Sequence, residues 1–245
     1  RRWEKMNDEN TNKKNQQLMN GNVIKIALPK GRLMESTKEL LEKSKIFLSG
    51  SERNYKPESN ISEFEFRILK PRNIPKMVEE GLVDVGIIGL DLVEDENASV
   101  EFILDLKTMP VFLMVAAPKN FRDSTAPKTL TVASEYTEIT KGYFRSKNKK
   151  FRIIKTYGST ECFVPEFADV IVDHTQSGRS LKQNNLKVLD VIMKSTTRLI
   201  ANSKLEEQKL ETVLKLKKML SAGLKKMNLN YSEFLTEEQI RTNNF

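Results

Sequence analysis

One cysteine and one histidine are all that 245 residues contain. With Cys162 alone no intrachain disulfide can form, which suits a reducing compartment such as the cytoplasm. Cys162 and His174 cannot together close a structural zinc site, and His174 has no second His or Cys for a metal centre or a nucleophilic diad. The longest apolar runs, "VGIIGL" and "VFLMVAA", are too short to span a bilayer, and no apolar signal-peptide core lies near the N-terminus. The chain has no G-x-S-x-G elbow, Walker A run or G-x-G-x-x-G fingerprint. Covalent catalysis is therefore disfavoured, and a group transfer driven by positioning and electrostatics fits better.

Apolar residues make up 38% and charged residues 30%, a globular balance long enough for one large domain or two small ones. The net charge of +8 is spread along the chain. Five Lys/Arg face three Asp/Glu in 1–20, and eight face six in 203–245. A nucleic-acid binder more often concentrates its charge in a patch with interleaved aromatics. The densest stretch, Lys204–Lys226, reads as the solvated face of a helix; no nucleic-acid or membrane partner is expected. A mild basic excess also suits polyanionic small substrates.

Residues 1–20 carry five Asn and no apolar periodicity, and read as an extension outside the fold. From Val23, "VIKIALP" alternates like a strand and "RLMESTKELLEKSKI" has helical spacing. Phe47–Leu69 reads as irregular, with scope for a hairpin. "NIPKMVEEG" is a short helix between Pro75 and Gly81, and "VDVGIIGLDLV" a buried strand running into a turn. "VFLMVAAP", "LTVAS", "FRIIKTYG", "ADVIVDHT" and "LKVLDVIMKSTTRLIAN" continue the β pattern. A helix follows Ser134, read as its N-cap, with Tyr136, Ile139, Tyr143 and Phe144 on one face. "STECFVPEF" reads as helical, and a long helix near Lys204–Met227 is striped by Leu205, Leu210, Val213, Leu214, Leu220 and Leu224. There is no internal repeat. Alternating strands and helices predict an α/β fold with largely parallel sheets, whose ligands bind beyond the carboxyl ends of strands.

Two strand ends stand out. In "IALPKGRL", Gly31 permits a tight turn before a helix, and Lys30 and Arg32 add positive charge, making an anion site one reading. A strand–turn–helix with Gly and basic residues is common, however, and needs no ligand. In "ADVIVDHTQSGRSL", Asp169, Ile171 and Asp173 point to one face of an extended strand. Asp173 ends it, and Thr175, Ser177, Ser180 and the N–H groups around Gly178 follow. One reading is a sugar-phosphate site, the acid taking ribose hydroxyls and the turn taking phosphate. The other is a solvated loop capped by Ser180. His174 and Cys162 read as an incidental polar residue and a small core residue.

Several segments together resemble the ATP phosphoribosyltransferase family, the first enzyme of histidine biosynthesis. "IALPKGRL" is similar to its N-terminal signature, "ILKPRNIPKMVEEGLVDVGIIGLDLV" to its second block and "TVASEYTEITKGYF" to its third. "YGSTECFVPEFADVIVDHTQSGRSLKQNNL" resembles the stretch with the phosphoribosyl-diphosphate loop, followed by "RLIAN". The resemblance runs in consistent order from Val23 to Asn202.

It implies a type II periplasmic-binding-protein-like pair of α/β lobes with the active site in the cleft between them. The lobes would be 22–107 plus 192–245 and 108–191, after an extension over 1–21. The implied reaction joins adenine N1 of ATP to C1 of phosphoribosyl diphosphate and releases diphosphate, with Mg2+ carried on substrate phosphates and no metal ligands on the protein. Thr175, Gln176, Ser177, Gly178, Arg179, Ser180 and Leu181 match the loop for the 5′-phosphate, and Asp173 and Asp169 the acids near ribose. Lys30, Gly31 and Arg32 match the first-lobe signature for ATP or diphosphate, with Arg32 also assigned to catalysis. Asp91, Tyr136 and Glu161 are further candidates along the cleft.

His174, Gln176 and Asn185 depart from the family's usual residues and put affinity, more than activity, in question. Only 43 residues follow "RLIAN", which resembles short forms. The short form implies a homo-oligomer and a regulatory subunit related to histidyl-tRNA synthetase. A solute-binding module on the same two-lobed architecture is the competing class, since fold alone does not separate the two.

Overall fold

The computed structural model describes residues 22–51, 54–229 and 234–243. The expected extension over 1–21 lies outside the described residues. Chain contacts divide the molecule into two units. Of the described residues, one unit holds those up to Ile88, Ser99–Leu106 and Arg198–Asn228; the other holds Gly89–Ala98, Lys107–Thr197 and those from Leu229. Gly89–Ala98 and the C-terminal segment thus group with the second unit, where the sequence reading put them with the first. Among the described residues, no helix is long and apolar enough to cross a membrane.

The first unit is built on a five-stranded sheet in the order β4-β1-β5-β12-β6. β1 (Ile24–Pro29) lies parallel to β4 (Phe64–Leu69) and β5 (Val85–Gly89), while β12 (Thr197–Asn202) runs antiparallel to β6 (Val100–Asp105). Two of these strands correct the sequence reading. Phe64–Leu69 is a full partner of β1, in register from Ile24–Phe64 to Pro29–Leu69, not an irregular stretch. Its Phe64 and Phe66 are buried between Glu65 and Arg67, the period-two pattern of a half-buried strand. The expected hairpin is confined to the two-residue strands β2 (Leu48–Ser49) and β3 (Glu58–Ser59). β6 went unread because its exposed Glu101 and Phe102 blur any alternation.

Helix α1 (Arg32–Lys43) follows β1 and buries Leu33, Thr37, Leu40 and Leu41. α2 (Ile74–Glu79) ends under Asn202, whose side-chain amide donates to the carbonyls of Val78 (2.7 Å) and Glu79 (2.9 Å). This satisfies two acceptors that a helix C-terminus leaves open. In α6 (Glu207–Leu224), Val213, Leu216 and Leu220 are buried against the first-unit core. The predicted stripe is rotated: Leu210 and Leu214 are exposed, and Leu216 and Gly223 take the inner face. A Cβ at Gly223 would lie 2.0 Å from Ser44 Oγ at the end of α1, so the crossing needs glycine. Asp84 ties this unit together, accepting from the Lys25 N–H (2.7 Å) and from Lys209 Nζ on α6 (2.9 Å). Partial burial works against the Lys209 charge, but the hydrogen bond and charge of Asp84, with help from Glu206, outweigh it and hold its pKa above the usual lysine value.

The second unit has the sheet order β11-β7-β10-β8-β9. β7 (Val111–Pro118) is antiparallel to both β10 (Val170–Thr175) and β11 (Leu186–Ser195). β8 (Thr129–Ser134) is parallel to β10 and to β9 (Lys150–Lys155). β7 is apolar throughout because both its faces are covered. Phe112, Met114 and Ala116 enter one core cluster, and Leu113, Val115 and Ala117 the other.

α3 (Leu90–Asp95) follows β5 directly, where the sequence suggested only a turn. α4 (Thr137–Ser146) starts at Tyr136, not Ser134. Ser134 Oγ accepts the Tyr136 N–H (2.9 Å), and the helix is capped from α3: Asp95 Oδ1 accepts the N–H groups of Glu138 and Ile139 (2.9 and 3.2 Å). "STECFVPEF" forms only a 3-10 turn over Thr160–Phe163. Val164 is extended because the residue before a proline is pushed out of the helical region. Two more helices complete the unit, α5 (Arg179–Gln183) and α7 (Glu237–Arg241).

Candidate active site

β10 has at each end an aspartate that the sequence singled out, and the two are differently engaged. Asp169 precedes its first residue, and its Oδ2 accepts the Thr131 N–H at the start of β8 (2.7 Å). Asp173 lies four residues further along the chain, roughly 13 Å away. Asp169 therefore pins two strand starts together, at the end of β10 away from Asp173. The shared face was real, but the two acids stand at opposite ends of it.

Asp173 is 9% exposed, at the carboxyl end. Its Oδ1 accepts the His174 N–H (2.7 Å) and lies 3.2 Å from His174 Nδ1. His174 Nδ1 is also 3.2 Å from Tyr136 Oη, which donates to Asp91 Oδ2 (2.9 Å). Asp91 Oδ1 in turn accepts from Ser195 Oγ (2.5 Å), and the same Oγ receives the Asp91 N–H (3.0 Å). A carboxylate only accepts, so Tyr136 must spend its proton on Asp91 and receive one from His174. That fixes the hydrogen of the ring on Nδ1, shared between Tyr136 and Asp173. The result is a relay, Ser195–Asp91–Tyr136–His174–Asp173, that holds Oδ1 of Asp173.

Sequence reasoning named three of these five. His174 was set aside as incidental and Ser195 passed unnoticed, because their partners lie 38 and 104 residues away. The available signal for His174 was strand alternation, which puts it on the face opposite Asp173, with Val170 and Val172.

The turn after Asp173 is shaped by its own side chains. Thr175 Oγ1 accepts the Gly178 N–H (3.1 Å), and Gly178 adopts φ 70°, ψ −3°, a left-handed conformation that glycine takes without cost. The chain then enters α5 at Arg179. The Gly178 N–H is thus spent inside the turn, while those at the start of α5 have no intrahelical acceptor. Ser180 Oγ donates to Glu161, so these two candidates meet, and Ser180 must exchange that partner to reach a phosphate. Gln176 Nε2 is buried with no hydrogen-bond partner among the described residues. A buried amide donor without an acceptor is costly, and an incoming oxygen would relieve it.

Lys30, Gly31 and Arg32 lie in the first unit. Gly31 has φ 86°, ψ −141°, a conformation open in practice to glycine alone, and gives α1 no side-chain cap. Lys30 Nζ donates to Tyr55 Oη (2.8 Å) and sits 4.9 Å from that ring's centroid. The Lys30 hydrogen bond, and then its charge, lower the Tyr55 pKa. Tyr55 was not foreseen, since it falls in the stretch read as irregular. Arg32 is exposed. Among the described residues no group of three or more His, Cys, Asp or Glu side chains could hold a metal ion.

Comparison with known proteins follows the same lines. Residues 70–222 match the family model for HisG, ATP phosphoribosyltransferase. The chain is 37% identical over 183 residues to the ATP phosphoribosyltransferase of Hydrogenobaculum sp. (strain Y04AAS1), covering 74% of this chain and 90% of that protein. It is 35% identical over 207 residues to the one from Caldicellulosiruptor bescii, covering 81% of this chain and 99% of the relative. Among solved structures, the ATP phosphoribosyl transferase (HisG:HisZ) complex from Thermotoga maritima superposes with a TM-score of 0.75 at 27% identity, covering 84% of this chain and 100% of that one. An ancestral arginine-binding protein covers 91% of this chain and 98% of its own with a TM-score of 0.52 at 11% identity, a likeness of fold alone. The fold is accordingly the two-lobed α/β fold of periplasmic-binding-protein type, with two mixed five-stranded sheets.

Proposed function

The chain belongs to the ATP phosphoribosyltransferase family, whose reaction opens histidine biosynthesis, and from that premise we propose how its residues divide the chemistry. The observation that carries the assignment is Asp173: buried, held through Oδ1 by His174, and directly ahead of a hydroxyl-rich glycine turn with an unpartnered amide donor at Gln176. Asp173 Oδ2 accepts a ribose hydroxyl of phosphoribosyl diphosphate. Gln176, Ser177, Ser180 and the N–H groups of Arg179–Leu181 receive the 5′-phosphate. Lys30, the Gly31 turn and Arg32 face ATP or the departing diphosphate with positive charge.

The lone pair of adenine N1 attacks C1 of the ribose as the bond from C1 to the diphosphate oxygen breaks, so no strong base is required. The protein's work is positioning and charge stabilisation. The relay from Ser195 to His174 orients Asp173 while keeping the histidine proton on Nδ1. Asp91 and Tyr136 act through that relay and are positioning residues. Magnesium enters this proposal only as the counter-ion of the substrate phosphates.

The same reading takes the chain as a short-form catalytic subunit in a homo-oligomer with a regulatory subunit related to histidyl-tRNA synthetase. Its support is that the chain covers nearly the whole of several relatives and superposes on the Thermotoga maritima HisG:HisZ structure. A cytoplasmic setting belongs to the proposal, since ATP and phosphoribosyl diphosphate are used there and Cys162 is a free thiol.

The test is the absorbance growth of phosphoribosyl-ATP when the purified chain meets ATP, phosphoribosyl diphosphate and magnesium, with pyrophosphatase drawing the reaction forward. Product from the chain alone, or after a synthetase-like subunit is added, supports the reading. Silence in both conditions moves the assignment to solute binding.

A further inference from the structure

The C-terminal segment 234–243 lies beyond the span matched to the family, which ends at 222. It is nevertheless firmly seated on the second unit. Ile240 of α7 is fully buried in the core cluster that contains Met114, Ile171, Val188 and Leu181, and Leu235 packs against the same cluster. The helix carries its own start signal, a capping box in which Thr236 Oγ1 accepts the Gln239 N–H and Gln239 Oε1 accepts the Thr236 N–H. Asn243 brackets Val188 of β11: its Oδ1 accepts the Val188 N–H (2.5 Å) and its Nδ2 donates to the Val188 carbonyl (3.1 Å). This occurs where the β11–β7 register slips after Val188. Arg241 adds an ion pair to Asp190 (3.2 Å).

Two of these contacts reach the turn after Asp173 from opposite ends. The Leu235 N–H donates to the Gln176 carbonyl at 3.0 Å. Leu181, in the first turn of α5, shares its cluster with Ile240. Between those anchors the turn has as its side-chain ties the Thr175–Gly178 bond, the Ser180–Glu161 contact and the Asn184 amide on the Ser180 carbonyl, and α5 is five residues long. A helix that short has no stability of its own. Its geometry must come from what is packed on it.

We propose that segment 234–243 is a clamp that sets the conformation of the Gln176–Leu181 turn and thereby the affinity for phosphoribosyl diphosphate. The proposal rests on the reading of that turn as the phosphate site. Leu235 and Ile240 are positioning residues: the first fixes the carbonyl of Gln176 and so the direction of its unpartnered Nε2, and the second backs Leu181.

The experiment uses the full chain with Leu235→Pro, which removes the donating N–H, and Leu235→Ala, which keeps it. Amide hydrogen exchange over 176–183 and the Michaelis constants for both substrates are measured on each. Leu235→Pro is expected to speed exchange over 176–183 about tenfold and raise the phosphoribosyl diphosphate requirement by about the same factor, as loss of one hydrogen bond allows. The ATP requirement should stay within about twofold, and Leu235→Ala should keep exchange in the turn near wild type. A general loss of structure would instead move both requirements together. Unchanged exchange over 176–183 in Leu235→Pro overturns the clamp. Faster exchange with an unchanged phosphoribosyl diphosphate requirement keeps the clamp and overturns the assignment of that substrate to the turn. If Leu235→Pro does not fold, Asn243→Ala, which frees Val188 from its bracket, is put to the same measurements with the same two criteria.

Discussion

The glycine turn after β1 and the glycine turn after β10 share one local plan, a strand, a left-handed glycine and a helix start. They differ in what holds them. Gly31 is flanked by exposed Lys30 and Arg32, and the side-chain support nearby is a lysine resting on a half-exposed tyrosine. Gly178 is buried, tied by Thr175 and preceded by an acid at the end of a five-residue relay. An exposed cationic turn can follow a charged ligand with little built-in geometry. A turn cross-linked by its own side chains holds part of its geometry before the ligand arrives, with Arg179 and Ser180 exposed at its end and Ser180 engaged by Glu161. Under the proposed function, the flexible polyphosphate falls to the first turn and the ribose 5-phosphate to the second.

The contrast is broken or sharpened by graded substitutions. Asp173→Asn is expected to give the largest effect, a fall in kcat/KM of about 100-fold or more, with the thermal midpoint nearly unchanged. Near-normal turnover would remove Asp173 from the site. Tyr136→Phe should follow, because it cuts the relay while leaving Asp173 in place; roughly a tenfold loss in kcat is expected. Ser180→Ala should raise the phosphoribosyl diphosphate KM about tenfold and leave that for ATP alone, whereas Arg32→Ala should do so for ATP. If both variants shift both constants equally, the two turns do not divide the substrates. The smallest effect is expected from Asp169→Asn, whose amide oxygen still accepts the Thr131 N–H: activity within about twofold, read in the same assay.

A stability test separates the second unit's packing from its site. Burial first, and then the hydrogen bond and charge of Asp190, raise the Tyr143 pKa, because the phenolate would sit beside a carboxylate. Asp190, despite its partial burial, is held below the usual range by bonds from Tyr143, Lys147 and the Val191 N–H. The folded Tyr143 keeps its proton more firmly than the unfolded one. Its contribution to stability is therefore complete below the unfolded pKa, about 10, and is lost as pH rises through the folded value. Urea midpoints of wild type and Tyr143→Phe should differ by a constant amount at neutral pH and converge above about pH 10. A gap that widens with alkali would contradict the pairing.

Much of the architecture was legible because burial writes periodicity. β1, β5, β7, β8 and β10 are apolar runs whose limits fall close to the expected ones, and α1 shows helical spacing. What escaped lacks that signature. β6 is an exposed edge, and β4 lay in a stretch dominated by polar loop residues. The stripe of α6 was misaligned because Leu216, not Leu214, meets the core, a choice made by the neighbouring α1 at Gly223–Ser44 and not by the helix itself. Asp173 and the turn were singled out from strand alternation and glycine, and they lie at the carboxyl end of β10 and the start of α5. Asp169 was read together with Asp173 because alternation fixes a face; its carboxylate accepts the Thr131 N–H, a contact that alternation does not reveal. The relay was illegible, since its bonds join residues far apart in sequence.

The most direct test is calorimetric titration of magnesium phosphoribosyl diphosphate, without ATP, into wild type, Asp173→Asn and Asp169→Asn. The account predicts binding to wild type, affinity weakened by about tenfold or more in Asp173→Asn, and wild-type affinity in Asp169→Asn. Equal weakening in the two variants, or none in either, would contradict the claim that the carboxyl end of β10 holds the ribose.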